Sequence, residues 1–435
     1  MSQKVDLILH GVQIALTVNK KSEILRNVSI LIKDKKIVDI ISSKQIDSFE
    51  FEKLIDCSHH LVMPGLINTH THTPMTLLRG IAEDVDLQGF LEKVWAEEAR
   101  IMNEKGTYIG AKLGALEALL GGTTCTLDMY LHPHMAHKGA VEVGLRHAIG
   151  PVFFDFEGPD GLNWEKRIEY LRNWQNVIND IGGAKIPLVA QPHSTYTVSP
   201  ENLSQVAKIS QEIGAIFNTH ISENQKENDD VFSKYQKSPT KVLSDINALD
   251  NAVFAHAVKL NDEDREIIYK KEVSLCHCPG SNLKLASGAF EWKKAKDKGI
   301  NVSLGTDGCS SSNDLDMFNV MRQAANLAKL INEDPAAVSV SEVVRAATIN
   351  GAKTLGLEDL IGSIEVGKEA DLIVLDLDQP HLVPIGDPHA LIVYAAGRSD
   401  VVHVLVAGDP VIVDRVSTKV DKDFILTEAR NHIGP

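Results

Sequence analysis

Positive charge is in short supply in this sequence. Lys and Arg number 44 against 59 Asp and Glu, a formal net charge of -15. Nucleic-acid binding through the phosphate backbone needs an excess of basic residues to displace counterions, so that class of partner is excluded. Long apolar runs are also missing. In "MSQKVDLILHGVQIALTV" the apolar stretch is interrupted by Asp6, His10 and Gln13, and no 18-residue apolar segment follows. A membrane-spanning helix is therefore not expected, and the chain reads as cytoplasmic. Cysteine is sparse as well. Cys57, Cys125, Cys276, Cys278 and Cys309 are odd in number and lack a small-domain disulfide spacing, which suits a reducing compartment. Cys276 and Cys278 in "CHCP" have no second pair with which to complete a zinc site, and read as buried thiols. There is no internal repeat, low-complexity tract or long linker.

What is present is an ordinary globular composition. The chain has 435 residues, 43% hydrophobic and 24% charged, enough for a large barrel and a smaller domain. The first 60 residues read as short strands with tight turns, as in "NVSILIKDKKIVDI", and the texture returns in "GSIEVGKEADLIVLDL" and "VVHVLVAGDPVIVD". Between them, short apolar runs alternate with helix-length amphipathic segments, the signature of βα units on a parallel sheet. The predicted class is α/β: a (β/α)8 TIM-type barrel over 61–360, with a small composite β-sandwich built from 1–60 and from 361–435, the latter including the C-terminal tail. The predicted barrel strands end, in order, near His70, Asp128, Asp155, His193, His220, His256, His277 and Asp307. Metal-type side chains at the carboxyl ends of successive parallel strands are what a barrel with its active site on that face would carry.

Four segments hold the chemistry: "NTHTH" (His70, His72), "FNTHISE" (His220, Glu223), "VFAHAV" (His256) and "LGTDG" (Asp307). On a strand, residues two apart share a face, so His70 and His72 can aim both rings at one point. Three imidazoles and a carboxylate suit one divalent metal, zinc or alternatively iron, and leave a position for water, which can then ionise near neutral pH. Glu223, three residues past His220, is placed to shuttle protons. His256 either accepts a hydrogen bond from the water or completes the ligand set. The fourth-strand segment "IPLVAQPHSTYTV" contains no lysine, which disfavours a carboxylated lysine bridging two metals.

In combination, "PGLINTHTH", "THISE", "AHAV", "CHCPGSNLKLASG", "GTDGCSSSNDLDMF" and "GSIEVGKEADLIVLD" resemble the amidohydrolase superfamily. Within it, the chain is most similar to the mononuclear aminohydrolase branch that contains methylthioadenosine and S-adenosylhomocysteine deaminases and chlorotriazine hydrolases. The resemblance spans nearly the whole chain. It implies that His70, His72, His220 and Asp307 bind the metal, that Glu223 moves protons, and that His256, with Asp307, assists at the water. It further implies substrate contacts from His193 and Ser311 and from the helix after the first strand, at Glu98 or Glu97, with Glu98 preferred. A homodimer or larger homo-oligomer is expected from the same source. Trp95, near Glu98, is a candidate for stacking on a heterocycle.

The expected reaction is hydrolytic deamination of an amino-substituted heterocycle, a small-molecule substrate, with release of ammonia. An adenosine-type nucleoside is the first candidate. Relatives that accept a homocysteine tail would carry arginines around the third-strand loop. Here Pro151 takes one such place, and Asp155, Glu157 and Asp160 precede Arg167. A neutral 5′ substituent, as in methylthioadenosine, is therefore expected over a carboxylate. A pterin, guanine or aminopyrimidine as substrate, or hydrolysis of a ring amide or chlorotriazine, are the alternatives, because pocket loops vary on a shared barrel.

Overall fold

The structure is a computed structural model describing residues 3–434. Eight parallel strand positions form a barrel: Leu66–His72, Thr123–Asp128, Arg146–Ala148 continued by Val152–Phe153, Val189–Pro192, Ile216–Ile221, Ala252–His256, Ser274–His277, and Val302–Leu304 continued by Asp307–Gly308. The third and eighth positions are each broken in two. Their halves join different hydrogen-bonded runs, so that the two runs close on each other. The break in the third strand falls at Gly150 and Pro151. A Cβ on Gly150 would lie 1.7 Å from the Val189 carbonyl oxygen, so only glycine permits this approach to the fourth strand.

Burial of the strands is continuous, with every residue of Leu66–His72, Thr123–Asp128 and Ile216–Ile221 buried. That is the expected result for strands covered by helices outside and by packed side chains inside. Several of the helices between them start at side-chain caps, Asn163 for Trp164–Ile181 and Asn224 for Gln225–Tyr235 among them. In Leu87–Ile101, Asp86 accepts from the Gly89 amide, and the buried positions are Leu87, Phe90, Val94, Glu98 and Ile101, a helical stripe that contains one carboxyl.

Both ends of the chain contribute to a second, nine-stranded sheet. Gln3–Leu16 pairs with Ile24–Lys33 and with His60–Pro64, and His60–Pro64 pairs antiparallel with Leu372–Asp376. The strand His60–Pro64 leads through Gly65 straight into the first barrel strand. Arg146, fully buried in the third strand, reaches across to this sheet. Its guanidinium donates to both oxygens of Asp371 at 2.9 Å and to Glu369 at 2.7 Å. The closing helix, Lys422–Ile433, returns to the barrel, where His432 Nε2 lies 2.8 Å from the Ile101 carbonyl oxygen. No helix among the described residues is long and apolar enough to cross a membrane.

Candidate active site

The carboxyl ends of the first, fifth, sixth and eighth strands bring four imidazoles and one carboxylate together. His70 and His72 alternate with Thr71 on the first strand, and their ring centroids lie 5.0 Å apart. His220 is 4.8 Å and His256 5.2 Å from His70 by the same measure. Asp307 Oδ1 is 3.1 Å from His72 Nε2 and 3.4 Å from His70 Nε2. Donor atoms of His70, His72 and His220 all lie within 4.8 Å of one another, as do those of His70, His256 and Asp307. The backbone is shaped for this. His256 at φ 69° and Asp307 at φ 61° occupy the left-handed region, which costs energy for residues other than glycine and concentrates at functional sites.

Hydrogen bonds behind the rings settle which nitrogen faces inward. His72 Nδ1 lies 2.5 Å from the Met129 carbonyl and His220 Nδ1 2.8 Å from the His193 carbonyl. A carbonyl can only accept, so each Nδ1 carries the proton and each Nε2 presents a lone pair to the centre. His256 Nδ1 pairs with Asn282 Oδ1 at 2.9 Å, leaving its Nε2 facing Glu223 Oε2 at 3.7 Å. Ser311 Oγ donates to Asp307 Oδ2 at 2.8 Å. Burial alone would raise the Asp307 carboxyl, but His70 and His72 hold it well below the usual carboxylate range.

Above this floor opens a cavity of about 310 Å³. Glu223 and Glu98 both line it. Burial raises the Glu223 carboxyl above its usual value, and its backbone amide is fixed by Glu227 Oε2 at 2.7 Å. Glu98 is 6% exposed and is pushed up by burial to about 7, beside the Tyr130 hydroxyl. Glu97 points to solvent and pairs with Arg100 at 2.8 Å. His193 lines the cavity with Nδ1 3.1 Å from Thr197 Oγ1, and burial lowers its pKa to about 3. Trp95 stands at the rim, with its ring centroid 5.9 Å from that of Phe156.

Four expected positions fall elsewhere. Ser311, read as a substrate contact, does not line the cavity, because its hydroxyl is taken by Asp307 and the Gly308 carbonyl. Asp155 is exposed and accepts from the Ser199 amide and Asn202 Nδ2, both at 2.8 Å, so it fastens the next βα loop. His277 stacks on Phe290 with centroids 4.6 Å apart, outside the cavity. Asp128 lies beneath the floor, holding the Thr73 amide at 3.0 Å and His147 Nε2 at 2.8 Å. The loop residues Met129, Tyr130 and Leu131, and the pair Phe154 and Phe156, also line the cavity. They were not singled out in the sequence, since apolar residues after a strand carry no signal distinct from core.

An amidohydrolase family model matches residues 61–411. The chain belongs to this family. Among its relatives, the 5-methylthioadenosine/S-adenosylhomocysteine deaminase of Pyrococcus furiosus is 39% identical over 377 residues, covering 86% of this chain and 89% of the relative. The 5′-deoxyadenosine deaminase of Methanopyrus kandleri is 39% identical over 410 residues, 93% of this chain and 94% of that one. A crystal structure of an adenosine deaminase from Xanthomonas campestris with bound zinc superposes with a TM-score of 0.93 at 31% identity, covering 99% and 98% of the two chains. The barrel with its flanking sheet is thus the amidohydrolase architecture, and the enzyme class is that of hydrolases acting on carbon–nitrogen bonds.

Proposed function

We propose that the chain is a metal-dependent deaminase of adenosine-type nucleosides with a neutral 5′ substituent, such as 5′-methylthioadenosine or 5′-deoxyadenosine. The observation that carries this reading is the convergence at one cavity floor of His70, His72, His220 and Asp307 with Glu223 beside them. The donor set fits a divalent ion. Both ring nitrogens of His70 are buried without a hydrogen-bond partner, an arrangement that costs energy unless something else occupies the lone pair. His70, His72, His220 and Asp307 would hold the ion, read as one zinc per chain, and zinc bound in the Xanthomonas relative supports that choice. A bound divalent metal supplies the Lewis acidity that lets water ionise near neutral pH.

The protein's own groups then account for the proton traffic. In the net reaction, water adds at the ring carbon bearing the exocyclic amine, and that carbon–nitrogen bond breaks to release ammonia. Glu223, its pKa raised by burial, takes one proton from the water and gives it to the adjacent ring nitrogen, then takes the second from the hydroxyl now on the ring carbon and gives it to the leaving amine, so that the water's two protons end on the ring nitrogen and on ammonia. His256 Nε2, aimed at Glu223 by Asn282, steadies the same water. Glu98 is suited to accept from ribose hydroxyls, and His193 to meet the purine edge through its free Nε2. All five cysteines are buried and unpaired, which fits the cytoplasm, and we read the enzyme as a homo-oligomer, as the family resemblance suggests.

The test is ammonia release by the zinc-loaded protein from adenosine, 5′-methylthioadenosine, S-adenosylhomocysteine, guanine, a pterin and cytosine. Turnover of the first two, with weak turnover of S-adenosylhomocysteine, is expected. Ammonia from none of the adenosine compounds would sink the nucleoside reading.

A further inference from the structure

The floor and the mouth of the cavity differ in chemistry. The floor is buried imidazole and carboxylate, whereas Trp95, Phe156 and Tyr196 at the mouth are 37%, 44% and 37% exposed. Every charged group lining the cavity apart from the imidazoles is a carboxylate, and no lysine or arginine among the described residues faces it. Three of these carboxylates, Glu98, Glu223 and Asp307, are buried. The fourth, Glu157, is exposed, and among the described residues no basic group pairs with it.

The surrounding loop explains why Glu157 stands alone. Of its acidic neighbours, Asp155 is taken by Ser199 and Asn202. Asp160 is clamped by the buried Arg167 guanidinium at 2.9 and 2.6 Å. That clamp spends the nearest arginine and closes the turn in which the Gly161 amide donates to the Gly158 carbonyl at 3.0 Å. Glu157 is left at the edge of the turn, next to the ring of Phe156, with its charge uncompensated.

We propose that Glu157 sets the charge selectivity of this mouth: the site admits nucleosides whose 5′ tail is neutral or cationic and turns away tails that end in a carboxylate. The proposal rests on the nucleoside reading above. Two carboxylates a few ångströms apart at a partly wet surface repel each other enough to change affinity roughly fivefold. An ammonium at the same place gains from Glu157 and from the faces of Trp95 and Phe156. Because the group is exposed, salt screens the effect.

Three 5′-thioadenosines with tails of matched length, propyl, 2-aminoethyl and carboxymethyl, separate charge from size. Their kcat and KM are measured with the zinc-loaded wild type, Glu157→Gln and Glu157→Lys, at low and high salt. The wild type should rank the aminoethyl compound first and the carboxymethyl compound last, chiefly through KM. Glu157→Gln should raise the carboxymethyl-to-propyl ratio of kcat/KM by about three- to tenfold, Glu157→Lys should invert the ranking, and high salt should flatten all three. A ratio that stays the same across the three proteins overturns the proposal. Equilibrium binding of the same compounds distinguishes the two readings. Charge-ranked binding without ammonia release keeps Glu157 as selector and removes the deaminase assignment, whereas ammonia release without charge ranking does the reverse. Absence of both removes both.

Discussion

Glu97 and Glu98 are neighbours in sequence and opposites in environment. Helical periodicity puts Glu98 on the stripe of Leu87, Phe90, Val94 and Ile101, where burial lifts its pKa to about 7, while Glu97 is left to pair with Arg100 in water. At the same scale, Glu223 is the residue whose loss is most diagnostic. Glu223→Gln keeps the shape and removes the proton carrier, so kcat should fall by about 10²–10⁴-fold while zinc content by atomic absorption stays near one per chain. Loss of zinc in that variant would reassign Glu223 as a ligand. The residues of the floor were legible in the sequence because period-two spacing and strand-end position suffice to aim His70 and His72. Ser311 was not, because which way a hydroxyl turns among close acceptors is decided by Asp307 in three dimensions.

At the scale of elements, the strands and the helices between them follow from short apolar runs alternating with helix-length amphipathic segments, and these could be read in advance. The cross-links could not, since an arginine in a strand looks the same whether it faces solvent or a partner far along the chain. Arg146 is such a case. Fully buried, it ties the third strand to Asp371 and Glu369 on the terminal sheet. Removing one partner of a buried ion pair leaves the others desolvated, so Arg146→Leu should destabilise the fold by about 3–5 kcal/mol, measured as a shift in the urea midpoint. A shift under about 1 kcal/mol would mean that Asp371, which also accepts from the Ala407 amide at 2.7 Å, is held well enough without it. The break in the third strand at Gly150 was equally hidden, since it depends on the approach of Val189.

For the molecule as a whole, stability should depend on acid through buried histidines that stay neutral. His137, packed on His147 with ring centroids 5.6 Å apart, is lowered by burial to about 3 from an ordinary 6.5. Between those values the unfolded chain binds the proton and the folded chain does not. Its contribution is therefore complete above about pH 6.5 and drains away as the pH falls toward 3, by up to about 1.4 kcal/mol per pH unit. Urea midpoints taken from pH 7.5 down to pH 5 should decline less steeply for His137→Gln than for the wild type, and parallel declines would show that the ring is not protected.

The pairing of His60–Pro64 with Leu372–Asp376 also governs the order in which the molecule can be assembled. The strand that carries His70 and His72 is seated on a sheet whose other half lies beyond all the remaining barrel strands. Thr71 and Asp307, which meet across the barrel seam, are 236 positions apart. Such distant contacts come late, because the entropy of closing a long loop is spent before they form. A growing or refolding chain thus lacks the Asp307 carboxylate until its eighth strand is home, and an ion arriving early finds at most the imidazoles of His70, His72 and His220.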